Sequence, residues 1–236
     1  MERNGRALAQ IIQELKKNVK PGVTTEYLNK VAEDLIFKFK AGPSFKNYQG
    51  FPAVLCTSVN EEAVHVAPSG RELKEGDIIS LDLGIFRDGF HADMAITMPV
   101  GSKTNLEALR LIRVTKKALK RGIKKVRPGS TVGDIGNTVQ RYVENQGYSV
   151  IRELCGHGIG KRLHEDPQIP NYGRRKTGPE IKEGMVLCLE PIIAMGRGRI
   201  KRIKDGHGYK TEDNSLSAHF EHMVVVTKYG CRVLTD

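Results

Sequence analysis

The sequence predicts an α+β fold in which two related αβ halves pack around an antiparallel sheet. Three observations indicate this fold. Apolar residues recur at helical spacing in two separate stretches, short strand-like runs follow each stretch, and one hexapeptide pattern occupies the same position in both. We expect a single domain over residues 1–236, with an N-terminal half at about 1–102 and a C-terminal half at about 103–236.

The first half opens with two predicted helices. An amphipathic helix spans residues 5–19, and Pro21-Gly22 ends it. Thr24 or Thr25 then caps a second helix. The apolar face of that helix consists of Leu28, Val31, Leu35 and Phe39.

A strand hairpin follows these helices. Ile78–Phe86 is an apolar run suited to burial, Arg87-Asp88-Gly89 is a turn, and Phe90–Met98 is the returning strand. Because a short turn joins neighbouring antiparallel strands, side chains on either side of it are expected to meet across the ladder.

The second half repeats this order. Thr104 and Glu107 form a predicted capping box, which opens a helix that runs to about Ile123. Another amphipathic helix follows, with Ile135, Val139 and Val143 on its apolar side. The later strands are predicted at Tyr148–Leu154, Met185–Ala194 and His222–Thr227.

A shared hexapeptide links the two halves. Val19-Lys-Pro-Gly-Val-Thr24 reappears as Val126-Arg-Pro-Gly-Ser-Thr131, offset by 107 residues and again set between two amphipathic helices. Pro-Gly is a common helix stop, so the motif alone carries little weight. Its equivalent placement favours an internal repeat.

The formal net charge of +11 at pH 7 favours a polyanionic partner, either nucleic acid or an RNA-rich particle. Basic residues concentrate in the segments 116–125, 173–176 and 197–204. A solvated basic surface explains the same composition equally well. No zinc finger, RNP-like signature or aromatic-basic pattern accompanies the charge, which argues against a dedicated nucleic-acid-reading module.

Composition also indicates the compartment. Residues 1–10 are polar and form no signal-peptide core, and no apolar run approaches the length of a membrane span. The four cysteines are scattered and include no CxxC pair, so free thiols in a reducing cytosol explain them better than disulfides or a zinc knuckle. They are Cys56, Cys155, Cys188 and Cys231. We expect a cytoplasmic protein with no membrane segment.

Four carboxylates lie where apolar residues are expected. Asp82 is inside the first hairpin strand, and Asp93 follows eleven residues later on the second. Glu190 interrupts a later apolar run, and Glu221 directly precedes another. A partly buried salt bridge explains any one of them, but none of these runs contains a Lys or Arg partner.

Two divalent cations explain all four carboxylates together. Converging carboxylates at about 4 Å repel by about 4 kcal/mol per pair at an effective dielectric of about 20. Such cations accept carboxylate oxygens and an imidazole. His157, in Cys155-Gly-His-Gly-Ile-Gly160, is the imidazole candidate. The glycine spacing and the Lys161-Arg162 pair do not fit a phosphate-binding P-loop, and HExxH is absent.

Two further histidines suit supporting roles. His164 lies seven residues after His157, and His65 precedes the hairpin. A neutral imidazole there can donate a hydrogen bond to a developing oxyanion or position a scissile carbonyl, although surface exposure remains the alternative for both. Surface positions are expected for His91, His207, His219 and His222.

These residues resemble the metal ligands of the type I methionine aminopeptidases. The matching positions are Asp82, Asp93, His157 in CGHGIG, Glu190 in LCLEP and Glu221 in FEHMVVVT. The stretches YQGFPAVLCTSVNE, HGIGKRLHEDPQ and KDGHGYKTEDNSLSAHFEH are also similar to that family. The resemblance covers nearly the whole chain and implies the pita-bread fold, whose two pseudo-symmetric αβ halves agree with the repeat.

The resemblance implies a single catalytic domain that removes N-terminal methionine from nascent polypeptides and prefers a small second residue. Two divalent ions, Mn, Fe(II), Co or Zn, are implied as cofactors. Asp93 and Glu221 would bridge both ions, Asp82 would chelate one, and His157 with Glu190 would hold the other. The protein is expected to act as a monomer, and its basic charge is expected to bring it to the ribosome.

The resemblance also implies a substrate pocket. His65 and His164 would steady the peptide carbonyl and the tetrahedral intermediate, and Glu190 would shuttle a proton to the leaving amine. Tyr48, Phe51 and Cys56 match positions that line the methionine pocket. Three departures affect its shape. Leu163 stands where phenylalanine is frequent, His207 where tryptophan is frequent, and Val66 where glycine usually follows the histidine.

Three other functions share parts of this pattern. A prolidase or aminopeptidase P would have the same five ligands, but those enzymes resemble longer chains with an extra N-terminal domain. A catalytically inactive binding module of this fold could hold RNA or a ribosome, although such relatives lose metal ligands. A basic two-metal nuclease fits the charge and the carboxylates alone.

Overall fold

Helices and strands follow one another in two similar series. The computed structural model describes all 236 residues. The helices are α1 (Glu2–Lys16), α2 (Thr25–Lys38), α3 (Leu106–Ile123) and α4 (Val132–Glu144), with a 3₁₀ turn at Tyr48–Gly50. The strands are β1 (Gly42–Pro43), β2 (Leu55–Val59), β3 (Glu62–Val64), β4 (Ile78–Arg87), β5 (Phe90–Pro99), β6 (Ser149–Val150), β7 (Cys155–Gly158), β8 (Glu165–Pro170), β9 (Val186–Leu189), β10 (Ile192–Ala194), β11 (Ile200–Arg202), β12 (Tyr209–Thr211), β13 (Ser217–His219), β14 (His222–Thr227) and β15 (Gly230–Val233). None of the helices combines the length and the apolarity needed to span a bilayer.

The second helix of each half begins at an equivalent threonine. The Thr24 hydroxyl accepts a hydrogen bond from the Tyr27 amide, so Thr24, not Thr25, caps α2. Thr131 caps α4 in the same way, and Asp134 completes a capping box there.

The predicted capping box at the start of α3 is wrong, because the helix begins one residue later with a simple N-cap. Asn105 is the N-cap, and its side chain accepts from the Ala108 amide. The Thr104 hydroxyl instead donates to the Asp77 carbonyl, which ties the start of α3 to the preceding turn. The first helix also begins earlier than predicted, at Glu2, and ends at Lys16.

Two predicted strands are shorter than expected. The run from 148 to 154 contributes only β6. The run from 185 to 194 divides into β9 and β10 at Glu190-Pro191, because proline has no N–H to continue a ladder. The strands at 78–87, 90–99 and 222–227 lie where the sequence predicts them.

The antiparallel strands form four small sheets. In the first half, β4 lies between β2 and β5 and also pairs with β1. In the second half, the order is β15-β14-β9-β7-β8. Smaller sheets, β13-β10-β6 and β11-β12-β3, lie beside these two. The predicted α+β class with antiparallel pairing is confirmed.

The two halves repeat the same hydrogen bonds around the shared hexapeptide. The equivalent backbone bonds join Gly22 to Leu73 and Gly129 to Ile181, and the equivalent β-bridges join Thr24 to Glu72 and Thr131 to Glu180. Both glycines adopt positive φ, 84° and 80°, which explains the Pro-Gly pair in each copy. The predicted pseudo-symmetry is therefore present in the backbone.

The apolar core lies between the helices and the sheets. The largest cluster joins α1 and α2 to β2, β4 and β5, and the side chains that α1 contributes are fully buried. Two smaller clusters lie beneath α3 and α4. The two main sheets meet where the Glu221 amide bonds to the Ala95 carbonyl of β5, and the carboxylates lie beside this contact.

Candidate metal centre

The β4–β5 hairpin places Asp82 and Asp93 on one face. In the register, Asp82 is opposite Ala95 and Asp93 is opposite Gly84, so the two carboxylates are diagonal neighbours. The hairpin turns through Asp88 and Gly89, both at positive φ, the geometry of a tight two-residue loop. The turn therefore fixes the register that brings the two side chains together.

The second half contributes His157, Glu190 and Glu221. His157 is on β7, opposite Cys188 of β9. Glu190 directly follows β9 and Glu221 directly precedes β14, where these strands pair. The Glu221 amide donates a 2.9 Å hydrogen bond to the Ala95 carbonyl, which joins the second-half sheet to β5.

The ligand atoms of these residues form two overlapping groups. Oxygens of Asp82, Asp93 and Glu221 lie within 4.8 Å of one another, and so do the ligand atoms of His157, Cys188 and Glu221. The His157 Nε2 atom is 3.6 Å from Glu190 Oε1 and 4.0 Å from Glu221 Oε1. Separations of this size accommodate an ion at about 2.0–2.2 Å from each ligand atom. Glu221 lies between the two groups.

The carboxylates are buried without compensating protein cations. Their basic neighbours within 4.0 Å are imidazoles, not lysines or arginines, which excludes the salt-bridge alternative. Asp82 Oδ1 and Glu221 Oε1 have no hydrogen-bond partner. Buried, unpaired carboxylates of this kind are the donor set that divalent cations require. The residues therefore fit a metal centre.

Burial raises the pKa of every one of these carboxyl groups, and repulsion from neighbouring carboxylates adds to the effect at Asp93, Glu190 and Glu221. Burial raises the pKa of Asp82 to about 7. Burial, followed by the charges of Glu221 and Asp82, raises the pKa of Asp93 well above its usual value. For Glu190 and Glu221 the direction and the main cause are the same.

The ring of His157 is oriented as a metal ligand. Its Nδ1 atom lies 2.8 Å from the Gly158 carbonyl oxygen, so Nδ1 carries the proton and Nε2 presents its lone pair to the carboxylates. Burial lowers the pKa of His157 to about 4, with a smaller contribution from His164. The imidazole is therefore neutral at pH 7.

The glycines around His157 have a packing role. A Cβ atom at Gly156 would clash with the Cys188 carbonyl, and one at Gly158 would clash with the Asp166 carbonyl. Only glycine lets β7 approach both neighbouring strands this closely. The glycines therefore hold His157 against β9.

The carboxylates open into a pocket of about 380 Å³. It is lined by every residue predicted to bind substrate: Tyr48, Phe51, Cys56, His65, Leu163, His164 and His207. The Tyr48 hydroxyl is 2.9 Å from His164 Nδ1, and the His164 ring meets the His157 ring edge-on at 4.3 Å. The Phe51 and His207 rings also meet edge-on, at 5.6 Å.

His65 is held in an unusual backbone conformation. It directly follows β3 and has φ of 57°, a region that non-glycine residues seldom occupy. Its ring is 6.4 Å from that of Tyr209. Desolvation lowers the pKa of His65 to about 4, and the His164 imidazole adds to the effect. His65 therefore presents a neutral imidazole to the pocket.

Several pocket residues are absent from the sequence prediction. Arg202, Gly206 and Tyr209 come from β11, β12 and their connection, and the others are Phe45, Gln49 and Leu154. Tyr209 faces Val64 across the β12–β3 ladder. Nothing in the local sequence predicts this long-range pairing of β12 with β3.

The surface assignment is wrong for His219. This residue is 2% exposed, neither ring nitrogen has a hydrogen-bond partner, and its Nε2 atom lies 3.7 Å from Glu190 Oε2. Burial lowers its pKa to about 3. His91 and His222 are half-buried, with Nδ1 beside the hydroxyls of Ser44 and Thr235. His207 is half-buried in the pocket.

A second repeat links Asp82 with Glu190. Leu73-Lys-Glu-Gly-Asp-Ile78 and Ile181-Lys-Glu-Gly-Met-Val186 are offset by 108 residues, and each leads into the strand that carries one of these carboxylates. Asp82 and Glu190 are themselves 108 positions apart. The repeated Lys-Glu-Gly segment is thus a sequence signal that Asp82 and Glu190 are equivalent positions. The shared hexapeptide alone did not reveal this equivalence.

Known proteins similar to this chain agree with the geometry. The profile of metallopeptidase family M24 matches residues 1–228. Methionine aminopeptidases of Clostridium perfringens and Bacillus subtilis are each 45% identical over 235 residues, which span 100% of this chain and 94% of each relative. The crystal structure of methionine aminopeptidase from Rickettsia prowazekii superposes with a TM-score of 0.98 at 41% identity, covering 100% of this chain and 95% of that one.

Proposed function

The chain belongs to metallopeptidase family M24, and on this basis we propose that it removes the N-terminal methionine from nascent polypeptides. The reaction is hydrolysis of the first peptide bond, with a small second residue preferred. The observation that carries this proposal is the convergence of five side chains from separate strands in the lining of one pocket.

Two divalent ions fit the ligand groups. Asp93 and Glu221 would bridge them, Asp82 would hold one, and His157 with Glu190 would hold the other. When bound, the ions supply Lewis acidity at the scissile carbonyl and make a water molecule acidic enough to attack near neutral pH. Mn, Fe(II), Co and Zn all suit these ligands, so the metal must be identified by experiment.

The pocket histidines act on the substrate. The Tyr48 hydroxyl contacts His164 Nδ1, and in the tautomer that this function needs the hydroxyl donates to Nδ1, so that Nε2–H is free to donate to the peptide. His65 and His164 hold the scissile carbonyl and stabilise the oxyanion of the tetrahedral intermediate. Glu190, whose pKa is raised by burial, passes a proton to the leaving amine.

The methionine side chain occupies the apolar part of the pocket. Phe51, Cys56 and Leu163 are buried and line it together with Tyr48. His207 packs against Phe51 and closes this side. These contacts support an exopeptidase whose pocket accepts one residue on the N-terminal side of the scissile bond.

The deciding experiment joins metal analysis to activity. Protein loaded anaerobically with Mn²⁺, Fe²⁺, Co²⁺ or Zn²⁺ is expected to bind about two equivalents and to release methionine from Met-Ala-Ser. Glu183 is an exposed carboxylate outside the pocket, so Glu183→Gln is the matched control for substitutions of the proposed metal ligands. Metal-independent release, or no release with any metal, would contradict the proposal.

Dipeptides separate this function from its alternatives. A prolidase or aminopeptidase P would cleave Ala-Pro in preference to Met-Ala, a nuclease would cleave a phosphodiester, and an inactive binding module would bind metal without turnover. We expect cleavage of Met-Ala alone.

The basic surface supports docking to the ribosome. The exposed side of α3 carries six cations, none of them in a salt bridge: Arg110, Arg113, Lys116, Lys117, Lys120 and Arg121. Beside it, Lys125, Arg127, Arg175 and Lys176 surround a cavity of about 520 Å³ that has no apolar lining residue. Co-sedimentation with ribosomes is expected to weaken steeply with salt and with charge reversal on α3. Salt-insensitive binding would refute this docking.

We also propose that the protein acts in the cytoplasm as a monomer and that residues 1–236 form one catalytic domain. Sedimentation analysis tests the oligomeric state, cell fractionation the compartment, and limited proteolysis the domain boundary.

A further inference from the structure

Arg202 is the one lysine or arginine that lines the active-site pocket. It lies at the end of β11 and is exposed, whereas the carboxylates that line the same pocket are buried or nearly so. The pocket thus has an acidic, metal-binding floor and a cationic rim. Resting on the function proposed above, we propose that Arg202 selects substrates that carry a carboxylate at the third residue.

Tyr209 holds the Arg202 side chain in place. The two residues are direct partners in the β11–β12 register. Arg202 Nε donates to the Tyr209 hydroxyl at 3.2 Å, and the guanidinium lies over the Tyr209 ring at 5.6 Å. The terminal nitrogens have no hydrogen-bond partner in the chain, and no carboxylate lies within 4.0 Å. The guanidinium group is therefore held at Nε, and its two terminal nitrogens are free to bind a ligand.

The position of Tyr209 relates Arg202 to the peptide. The Tyr209 ring is 6.4 Å from that of His65, the residue that holds the scissile carbonyl. This distance equals about two residues of extended chain, at roughly 3.3–3.6 Å each. A peptide that runs in extended form from His65 toward Tyr209 would bring its third residue to the Tyr209–Arg202 pair.

Guanidinium chemistry specifies the ligand. The planar fork binds a carboxylate through two parallel hydrogen bonds, and a lysine at the same substrate position would be repelled. Because Arg202 is exposed, solvent screening keeps the effect modest. The discrimination is expected mainly in KM, since the third residue takes no part in bond cleavage.

The test uses amidated peptides, which have no terminal carboxylate: Met-Ala-Asp-Ser, Met-Ala-Asn-Ser and Met-Ala-Lys-Ser. The wild-type enzyme is expected to prefer Asp over Lys by about threefold to tenfold in kcat/KM at low salt, through KM. Arg202→Gln should bring that ratio close to one, mainly through a higher KM for the Asp peptide.

Lys201→Gln is the matched control, because Lys201 is the neighbouring exposed cation on β11 and does not line the pocket. This variant is expected to keep the Asp preference, and Arg202→Lys to restore part of it. The proposal is overturned if Arg202→Gln keeps the wild-type ratio, or if Lys201→Gln lowers it equally. Failure to release methionine from all three peptides would refute the proposed function instead.

Discussion

The two halves share one framework but supply their functional residues in different ways. Each half has two helices joined by Pro-Gly, an equivalent threonine cap and a Lys-Glu-Gly turn before its main strand. The first half places Asp82 and Asp93 on a single tight hairpin. The second half gathers Glu190 and Glu221 from strand ends that are separated by β10–β13.

This difference teaches where the precision of the site comes from. The hairpin carboxylates are positioned by local turn geometry, whereas Glu221 depends on its backbone bond to Ala95 in the other half. The site exists only where the halves touch, so substitutions in either half should affect the shared function, although their effects on stability should differ.

The largest effect is expected from removing one of the proposed bridging ligands in each half. Asp93→Asn and Glu221→Gln should each lower kcat/KM by more than about 100-fold. Substitution of a residue that only hydrogen-bonds to a metal ligand lowers activity by up to about 100-fold, and loss of a ligand itself should exceed this. Each should also lower the number of bound metal ions, as measured by elemental analysis. If one variant kept full metal content and activity, the two halves would not share the centre as proposed.

Removing a pocket histidine should lower activity less than removing a proposed metal ligand. His65→Ala from the first half and His164→Ala from the second are each expected to lower kcat by about 100-fold to 1,000-fold, because each loses one hydrogen bond to the oxyanion. Bound metal should stay unchanged, which separates this effect from loss of a ligand. An effect confined to KM would argue against oxyanion stabilisation.

The pH dependence of stability should reverse when metal is removed. In chelator-treated protein, the buried carboxyls have pKa values raised above those of the unfolded chain, with Asp82 at about 7. From about pH 8.5 to about pH 7.5 the folded state therefore takes up protons that the unfolded state does not, and the free energy of unfolding should rise.

With metal bound, protons compete for the ligands, so the same change of pH should lower stability. Thermal melts with and without chelator measure both slopes. Glu221→Gln should flatten the slope of the metal-free protein. A metal-free protein that loses stability over this interval would contradict the burial of ionisable carboxylates.

The smallest effects concern the equivalent helix caps. Thr24→Ala and Thr131→Ala should each lower the free energy of unfolding by about 1 kcal/mol. The loss should be greater at Thr131, because its hydroxyl also donates a 3.0 Å hydrogen bond to Asp134 Oδ2, which alanine cannot replace. Urea unfolding at neutral pH gives both values. Equal losses would mean that the bond from the Thr131 hydroxyl to Asp134 adds nothing.

Local patterns explain how much of the fold was predictable. The β4–β5 hairpin, the β14 strand and the α2 cap follow from turn residues, apolar runs and a threonine, all of which act over a few positions. The α3 cap was displaced because Thr104 bonds to Asp77, a contact outside its own helix. The β9 run was divided because Pro191 interrupts the ladder.

The sequence by itself determined the fold class, the repeat and a set of carboxylates that no apolar run could accept. A buried charge needs compensation wherever it lies in the chain. Four carboxylates in apolar runs that contain no lysine or arginine therefore already indicate metal. Only the tertiary structure decided which groups surround that charge. His219 against Glu190, and Tyr209 beside His65, depend on pairings between strands that are distant in the chain. Sequence periodicity carries no information about which strands will be neighbours.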